Sequence, residues 1–312
     1  MTFRVASTVA LPSASVTGLK DLGVDLVPVE SVSGMTALTG IDAVIVTITD
    51  PVGADALAAL REAGTRLVAN VGVGYNNIDV AAATAAGITV TNTPDVLTDA
   101  TADITMALLL DTTRRVTEGD RLIRGGEPWS WAFDFMWGTS LAGKRLGIVG
   151  YGRIGEAVAH RARAFGMTIV STSRRPRTDP AVEWTSLDRL FAESDVISLH
   201  CPLTEDTRHL VDAARLRSMK RTAVLINTSR GPVVDEAALV DALRAGTIAA
   251  AGLDVYEHEP LLAPGLAELE NVTLAPHLGS ATQETREAMA DLAVRNVVAL
   301  RLGTGLLTPV NV

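Results

Sequence analysis

A glycine-rich turn near the middle of the chain has the residue types and spacing that bind a phosphate group. Gly150, Gly152 and Gly155 form the pattern G-x-G-x-x-G between a short apolar run and a helix-like stretch. In that setting the first glycine permits a tight turn, the second lets the backbone approach a pyrophosphate and the third lets the helix pack on the sheet. The amides at the start of the helix, at Arg153 and Ile154, point at the phosphates. The pattern predicts a dinucleotide site rather than an ordinary turn.

The residues after the next strand indicate which dinucleotide is bound. A carboxylate about 20 residues beyond the glycines accepts hydrogen bonds from the ribose hydroxyls of NAD. Here Ser173 occupies that position, Arg174 and Arg175 follow it, and no carboxylate appears before Asp179. Arginine can hold a 2′-phosphate with a forked, charge-assisted pair of hydrogen bonds, whereas a carboxylate would repel it. The segment therefore predicts a preference for NADP(H) over NAD(H), unless it is a solvated basic turn.

The elements that must position these residues alternate between strand-like and helix-like segments, which is typical of a parallel sheet covered by helices. The first 95 residues contain strand-like runs at 43–48, 67–71 and 88–90 with alanine-rich helices between them. A long helical pattern from Asp95 to Arg124 leads into the second half of the chain. A final helix is predicted from Gln283 to Leu302.

The second half repeats the strand–helix order six times, with strands at 146–149, 168–171, 196–199, 223–227, 250–254 and 272–274. Six parallel strands with intervening helices fit a doubly wound (Rossmann) domain. We therefore expect an α/β protein in which this domain, residues 98–282, is inserted into a smaller flavodoxin-like α/β domain formed by residues 1–97 and 283–312. The inserted domain is expected to bind the dinucleotide and the smaller domain the substrate.

An irregular segment at 125–141 is unusually aromatic. It holds Trp129, Trp131, Phe133, Phe135 and Trp137, five of the nine Phe and Trp residues in the chain. Such a segment can fold against its own domain or can pack on a second copy of the chain. We favour the second interpretation, a dimerisation arm at about 120–141 in a homodimer, because so much apolar surface needs cover.

Composition excludes several other classes of protein. The 312 residues carry a net charge of −9 and no block of basic residues, which argues against nucleic acid as a partner. Cys201 is the only cysteine, so no disulfide can form within the chain and no cysteine-rich metal site exists. No signal peptide is evident, and the longest apolar stretch, 104–110, is too short to span a bilayer. We therefore expect a cytoplasmic enzyme without a bound metal.

Three further segments carry polar side chains directly after predicted strands. They are L-I-N-T-S-R-G at 225–231, G-L-D-V-Y-E-H-E-P at 252–260 and A-P-H-L-G-S at 275–280. Together with N-V-G-V-G-Y-N-N-I-D at 70–79, V-T-N-T-P at 90–94 and S-L-H-C-P-L at 198–203, they give an ordered set over nearly the whole chain. In the residues and the order of these six segments, the sequence resembles the D-2-hydroxyacid dehydrogenase family, and most of all its glyoxylate/hydroxypyruvate reductase branch.

The resemblance implies that the enzyme transfers a hydride between a nicotinamide cofactor and a small 2-oxo acid. Arg230 corresponds to the arginine that binds the substrate carboxylate and polarises its carbonyl, and a guanidinium suits a planar anion. His277 corresponds to the acid/base that protonates the carbonyl oxygen. Glu259 corresponds to the carboxylate that orients this histidine and is expected to raise its pKa. Taken singly, each residue could be an ordinary ion-pair, turn or packing residue.

The same resemblance implies further contacts. The backbone amides of Val73 and Gly74 correspond to the loop that binds the substrate carboxylate, and Asp254 to the residue that holds the nicotinamide carboxamide. The other cofactor contacts that it implies are Cys201, Pro202, Thr228 and Gly279. His160 and His209 are expected to face solvent.

A few positions limit what the resemblance implies. Ala132 and Phe133 follow Trp131 where the reductase branch commonly carries a proline two residues after the tryptophan, which leaves the conformation of this loop open. Val73 stands where phosphite-oxidising relatives have a lysine, which argues against phosphite, and Glu259 stands where formate-oxidising relatives have another residue, which argues against formate. Glyoxylate and hydroxypyruvate are the leading substrates, with 2-ketogluconate, phenylpyruvate and pyruvate as alternatives. A dinucleotide-sensing corepressor is a less favoured interpretation, because such proteins usually add extended tails.

Overall fold

The structure is a computed structural model that describes residues 2–126, 128–172 and 178–311. It divides into two compact units, residues 1–97 with 282–312 and residues 98–281. Each unit is built on its own parallel sheet. None of the described helices is both long enough and apolar enough to cross a membrane.

The first unit alternates strands and helices along the chain. Its elements are β1 (Phe3–Ser7), α1 (Ser13–Asp21), β2 (Val24–Pro28), α2 (Val32–Thr36), β3 (Ala43–Thr47), α3 (Ala54–Glu62), β4 (Leu67–Val71), α4 (Val80–Ala85) and β5 (Thr89–Thr91). The strands pair in parallel in the order β2-β1-β3-β4-β5, which is the flavodoxin-like order. The middle strands β3 and β4 are buried almost throughout, because helices cover both faces of a parallel sheet.

The second unit opens with two helices and then alternates. Its elements are α5 (Thr98–Arg114), α6 (Val116–Gly125), β6 (Arg145–Val149), α7 (Arg153–Ala164), β7 (Thr168–Thr172), β8 (Val182–Trp184), α8 (Leu187–Glu193), β9 (Val196–Leu199), α9 (Ala213–Ser218), β10 (Val224–Asn227), α10 (Glu236–Arg244), β11 (Ala250–Leu253) and β12 (Val272–Leu274). The last helix, α11 (Gln283–Leu302), belongs to the first unit and packs on β4.

The seven strands of the second unit form one parallel sheet in the order β12-β11-β10-β9-β6-β7-β8. The order of the strands along the chain reverses between β6 and β9. The carboxyl ends of these two strands therefore form the switch point at which doubly wound sheets bind ligands. The predicted doubly wound fold class is confirmed. The predicted count of six strands is wrong, because the three-residue edge strand Val182–Trp184 is too short to show a strand pattern.

The single helix predicted from Asp95 to Arg124 is also wrong. The chain turns at Arg115, whose φ is 57°, and divides the segment into α5 and α6. The Asp111 carboxylate accepts the Thr117 amide at 2.6 Å and so satisfies one of the free donors at the start of α6. A side chain in the last turn of α5 thus caps the start of α6, which apolar periodicity does not reveal.

Candidate active site

The glycine-rich turn after β6 has two glycines that the protein itself requires. Gly150 has a φ of 95°, and a Cβ there would lie 2.7 Å from the Cys201 amide. A Cβ on Gly155 would overlap the carbonyl oxygen of Gly150. A Cβ on Gly152 would meet no atom within 4 Å, so nothing described inside the protein demands a glycine there. The open space at Gly152 fits a position that a pyrophosphate approaches, as do Arg153 and Ile154 at the start of α7.

The other predicted cofactor residues that the structure describes follow strands of the same sheet. Ser173, Arg174 and Arg175 lie outside the described residues. Cys201 and Pro202 follow β9, beside the turn at Gly150. Thr228 follows β10, and its hydroxyl lies 2.8 Å from that of Thr105 in α5. Thr228 is therefore anchored in the unit by a buried hydroxyl pair.

His200 has a structural role that sequence reasoning did not assign. Its Nε2 lies 2.8 Å from the Ser198 hydroxyl, and burial lowers the pKa of the imidazole to about 4. The ring is therefore neutral at physiological pH. Among the described residues, no group of three or more His, Cys, Asp or Glu side chains could hold a metal ion.

Asp254 ties the segment after β11 to the segment after β12. Its Oδ1 accepts the Leu278 amide at 2.6 Å and its Oδ2 accepts the Gly279 amide at 2.8 Å. Burial raises the pKa of Asp254, and these hydrogen bonds act in the opposite direction. The segment after β12 is also held by Thr101 of α5, whose hydroxyl donates to the Gly279 carbonyl at 3.0 Å. The bonds from Asp254 fix the position of the loop directly after His277.

Arg230 lies in a turn that Asn227, the last residue of β10, holds together. The Asn227 Oδ1 accepts the Ser229 amide at 3.0 Å, and its Nδ2 donates to the Arg230 carbonyl at 3.0 Å. Burial lowers the pKa of the Arg230 guanidinium and the charge of Glu259 raises it, but arginine stays a cation in proteins. In the described part of the chain no carboxylate lies within ion-pair distance of Arg230, so its charge is available to an anion.

Glu259 and His277 form a direct pair. The His277 Nδ1 lies 2.8 Å from Glu259 Oε2, and each side chain is about one-third exposed. Burial raises the pKa of Glu259, but the hydrogen bond and the charge of His277 outweigh burial and lower it. No partner for His277 Nε2 is found among the described residues. The glutamate therefore holds one ring nitrogen while the other is left to exchange a proton.

The sheet topology explains why these three side chains come together. Arg230 follows β10, Glu259 follows β11 and His277 follows β12, and these strands are neighbours in the sheet. Parallel strands end at the same edge, so residues 47 positions apart in sequence reach one place.

The predicted carboxylate loop lies in the first unit, after β4. The Asn70 Nδ2 donates to the carbonyls of Gly72 and Gly74, at 3.3 and 2.9 Å, and the Asn92 Nδ2 donates to the Val73 carbonyl at 2.8 Å. The amides of Val73 and Gly74 have no acceptor among residues that the structure describes. With its carbonyls bound and these amides available, the loop can bind an anion.

His209 is partly exposed, with 35% of its side chain accessible, but it also has a carboxylate partner that the sequence did not predict. Its Nε2 lies 2.6 Å from Glu257 Oε1, and the Arg208 guanidinium reaches the same oxygen at 3.1 Å. His209 lies in the loop between β9 and α9, and Glu257 lies in the loop after β11. These loops come together only in the fold, so no local sequence signal marks the pair. His160 lies on an exposed face of α7, as predicted.

Comparison with known proteins identifies the family. The profile of the D-isomer specific 2-hydroxyacid dehydrogenase, NAD binding domain, matches residues 106–279. The glyoxylate reductase of Thermococcus litoralis is 48% identical over 272 residues, which cover 84% of this chain and 81% of the relative. A solved structure from Thermus thermophilus aligns with a TM-score of 0.91 and 42% identity, over 99% of this chain and 100% of the other.

A second solved structure is the NADPH-dependent glyoxylate/hydroxypyruvate reductase of Sinorhizobium meliloti. It aligns with a TM-score of 0.88 and 36% identity, over 99% of this chain and 97% of the other. The chain therefore belongs to the D-isomer specific 2-hydroxyacid dehydrogenase family, in its glyoxylate reductase branch, and is an NAD(P)-dependent oxidoreductase.

Proposed function

We propose that the chain is an NADP(H)-dependent reductase that converts small 2-oxo acids, glyoxylate and hydroxypyruvate foremost, into D-2-hydroxy acids. The observation that carries this proposal is the combination of a partly buried arginine that has no described ion-pair partner with a histidine–glutamate pair at the ends of three neighbouring strands. The relatives that are named glyoxylate reductases support the same class of substrate.

In this proposal Arg230 binds the substrate carboxylate and draws electron density from the adjacent carbonyl. The reduced nicotinamide, when bound, supplies the hydride. His277, held at Nδ1 by Glu259, gives the Nε2 proton to the carbonyl oxygen as the carbon is reduced, so that C=O becomes CH–OH. The amides of Val73 and Gly74 give the carboxylate further donors.

We assign dinucleotide binding to residues 98–282 and substrate binding to residues 1–97 with 283–312. The preference for NADP(H) rests on the residue types at Ser173, Arg174 and Arg175. The experiment follows absorbance of the reduced nicotinamide with NADPH and with NADH against glyoxylate, hydroxypyruvate, pyruvate, 2-ketogluconate and phenylpyruvate. We expect kcat/KM to be higher with NADPH than with NADH, and higher with glyoxylate and hydroxypyruvate than with the other three acids. Absence of turnover on the whole panel would reject the function.

The cofactor preference has its own test. Replacing Ser173 with Asp and Arg174 with Pro in one variant removes a phosphate ligand and introduces a carboxylate where NAD enzymes have one. The ratio of kcat/KM for NADPH to that for NADH should fall at least about 10-fold. An unchanged ratio would reject the assignment of these residues.

The homodimer remains part of the proposal. Trp131 and Phe133 are 79% and 81% exposed in a single chain, and Val116 and Ile123 add apolar surface on α6. An exposed aromatic set of this kind is typical of an interface. Light scattering on the purified protein should give twice the mass of the chain, and Trp131→Ser with Phe133→Ser should lower that mass. A wild-type protein of single-chain mass would contradict the dimer.

A further inference from the structure

Tyr256 lies in the segment that carries Glu259 and contacts the segments that carry Arg230 and His277, yet the proposed chemistry gives it no task. Its side chain is buried in the core of the second unit, among residues of β11, β12 and α10. We propose that Tyr256 is a positioning residue whose hydroxyl holds the His277 segment in reach of Glu259. The inference rests on the proposed function.

The hydroxyl of Tyr256 is bonded to the chain immediately before His277. It donates to the Ala275 carbonyl at 2.8 Å, and the Leu253 carbonyl lies at 3.4 Å. Ala275 is two residues before His277. Burial raises the pKa of Tyr256 to about 12, so the hydroxyl stays a donor throughout the working pH range of an enzyme. This bond therefore ties the end of β12 to the segment after β11.

The backbone of Tyr256 is bonded to the other half of the pair. Its amide donates to Glu259 Oε1 at 3.0 Å, while Glu259 Oε2 faces His277 Nδ1 at 2.8 Å. One carboxylate oxygen is thus fixed by Tyr256, and the other is directed at the imidazole. The two ends of a single residue hold both members of the histidine–glutamate pair.

The carbonyl side of Tyr256 lies against the arginine segment. A Cβ on Gly231, the residue after Arg230, would overlap the carbonyl group of Tyr256 and lie 2.5 Å from the Glu257 amide. The backbones of the two segments are therefore in close contact. Tyr256 thus contacts both of the other site-bearing segments, as Asp254 also does.

The chain after Tyr256 is fixed independently of its hydroxyl. Glu236, which is 4% exposed, accepts the Glu257 amide at 2.7 Å and the Ala263 amide at 2.8 Å. Glu257 is paired with His209 at 2.6 Å. Removing the hydroxyl should therefore leave Glu259 and the Gly231 contact in place and loosen only the chain before His277, while the bonds to Asp254 still hold the loop after it.

The decisive variant is Tyr256→Phe, which keeps the ring, the amide and the carbonyl. We expect kcat for 2-oxo acid reduction to fall about 10-fold, because a misplaced proton donor slows the chemical step. KM for the 2-oxo acid should change less than about 2-fold, because Arg230 is not released. Thr65→Val is the matched control, since the buried Thr65 hydroxyl also donates to a main-chain carbonyl, that of Ile41 at 3.0 Å. The control should leave kcat unchanged.

A second readout does not depend on turnover. The imidazole resonances of His277, identified by their loss in His277→Asn, should shift in Tyr256→Phe and not in Thr65→Val. Unchanged His277 resonances together with unchanged kcat in Tyr256→Phe would overturn the positioning role while leaving the proposed function intact. A wild-type chain inactive on every 2-oxo acid would overturn the function, and the resonance shift would still decide whether Tyr256 positions His277.

Discussion

The contact between Gly231 and the Tyr256 segment allows a quantitative prediction for Gly231→Ala. The added Cβ would overlap the Tyr256 carbonyl, and even the Glu257 nitrogen would be only 2.5 Å away. Non-bonded heavy atoms separate to about 3.5 Å, so the two segments must move apart by at least about 1 Å. All three obstructing atoms belong to the backbone, which no side-chain rotation can relieve.

This displacement separates Arg230 from Glu259 and His277. A shift of about 1 Å in a catalytic geometry costs about 100-fold in rate, or about 2.7 kcal/mol of transition-state stabilisation. Overpacking should also lower the free energy of unfolding by about 1–3 kcal/mol. Steady-state kinetics with NADPH and glyoxylate measure the first quantity, and urea unfolding measures the second.

Gly18→Ala is the control for this variant. Gly18 lies inside α1, and a Cβ there would meet no atom within 4 Å. We expect its kcat/KM to be unchanged and its free energy of unfolding to rise by about 0.5–1 kcal/mol, because alanine favours a helix more than glycine does. A Gly231→Ala enzyme with wild-type kcat/KM would refute the reasoning that the two segments set the active geometry together.

The remaining predictions concern single side chains of the candidate site. Arg230→Lys keeps the charge but loses the fork, so KM for glyoxylate should rise at least about 10-fold in steady-state assays; an unchanged KM would exclude carboxylate binding by Arg230. Asn92→Ala releases the Val73 carbonyl, and KM should rise a few-fold with kcat retained if the Val73 amide binds substrate. His200 titrates at about 4 when folded and about 6.5 when unfolded, so unfolding should take up a proton as pH falls between these values. The free energy of unfolding should therefore decrease by about 2–3 kcal/mol from pH 6.5 to pH 4, and His200→Gln should lose that part of the pH dependence; identical pH profiles would contradict a buried neutral imidazole.

The parts of the fold that could be predicted from sequence are those with local signals. The glycine-rich turn, the buried strands β3 and β4 and the helix α11 each have a signal within about 20 residues. These signals are glycine spacing, an apolar strand-like run and helical periodicity. The predicted family, fold class and oxidoreductase class are confirmed. The helix α11 has the predicted bounds, Gln283–Leu302.

The features that were missed depend on contacts between distant residues or are strands without a continuous apolar run, namely β1, β2 and β8. Strand β2 at the edge of its sheet is only partly buried, so Val24–Pro28 lacks the continuous apolar run of β3. The break at Arg115 comes with a hydrogen bond from the Thr117 amide to Asp111, which belongs to the preceding helix. The positioning contacts of Asp254 and Tyr256 join segments that meet only because their strands are neighbours. Residue types therefore pointed to the site, while the side chains that hold it in place required the structure.

The most direct test of the account is the single-turnover rate of hydride transfer in His277→Asn, with saturating NADPH and glyoxylate. Asparagine keeps a polar group near Glu259 but cannot supply a proton as imidazolium does. If His277 is the acid, this rate should fall at least about 100-fold below that of the wild type. A rate within about 3-fold of the wild type would contradict the central claim that the Glu259–His277 pair protonates the substrate.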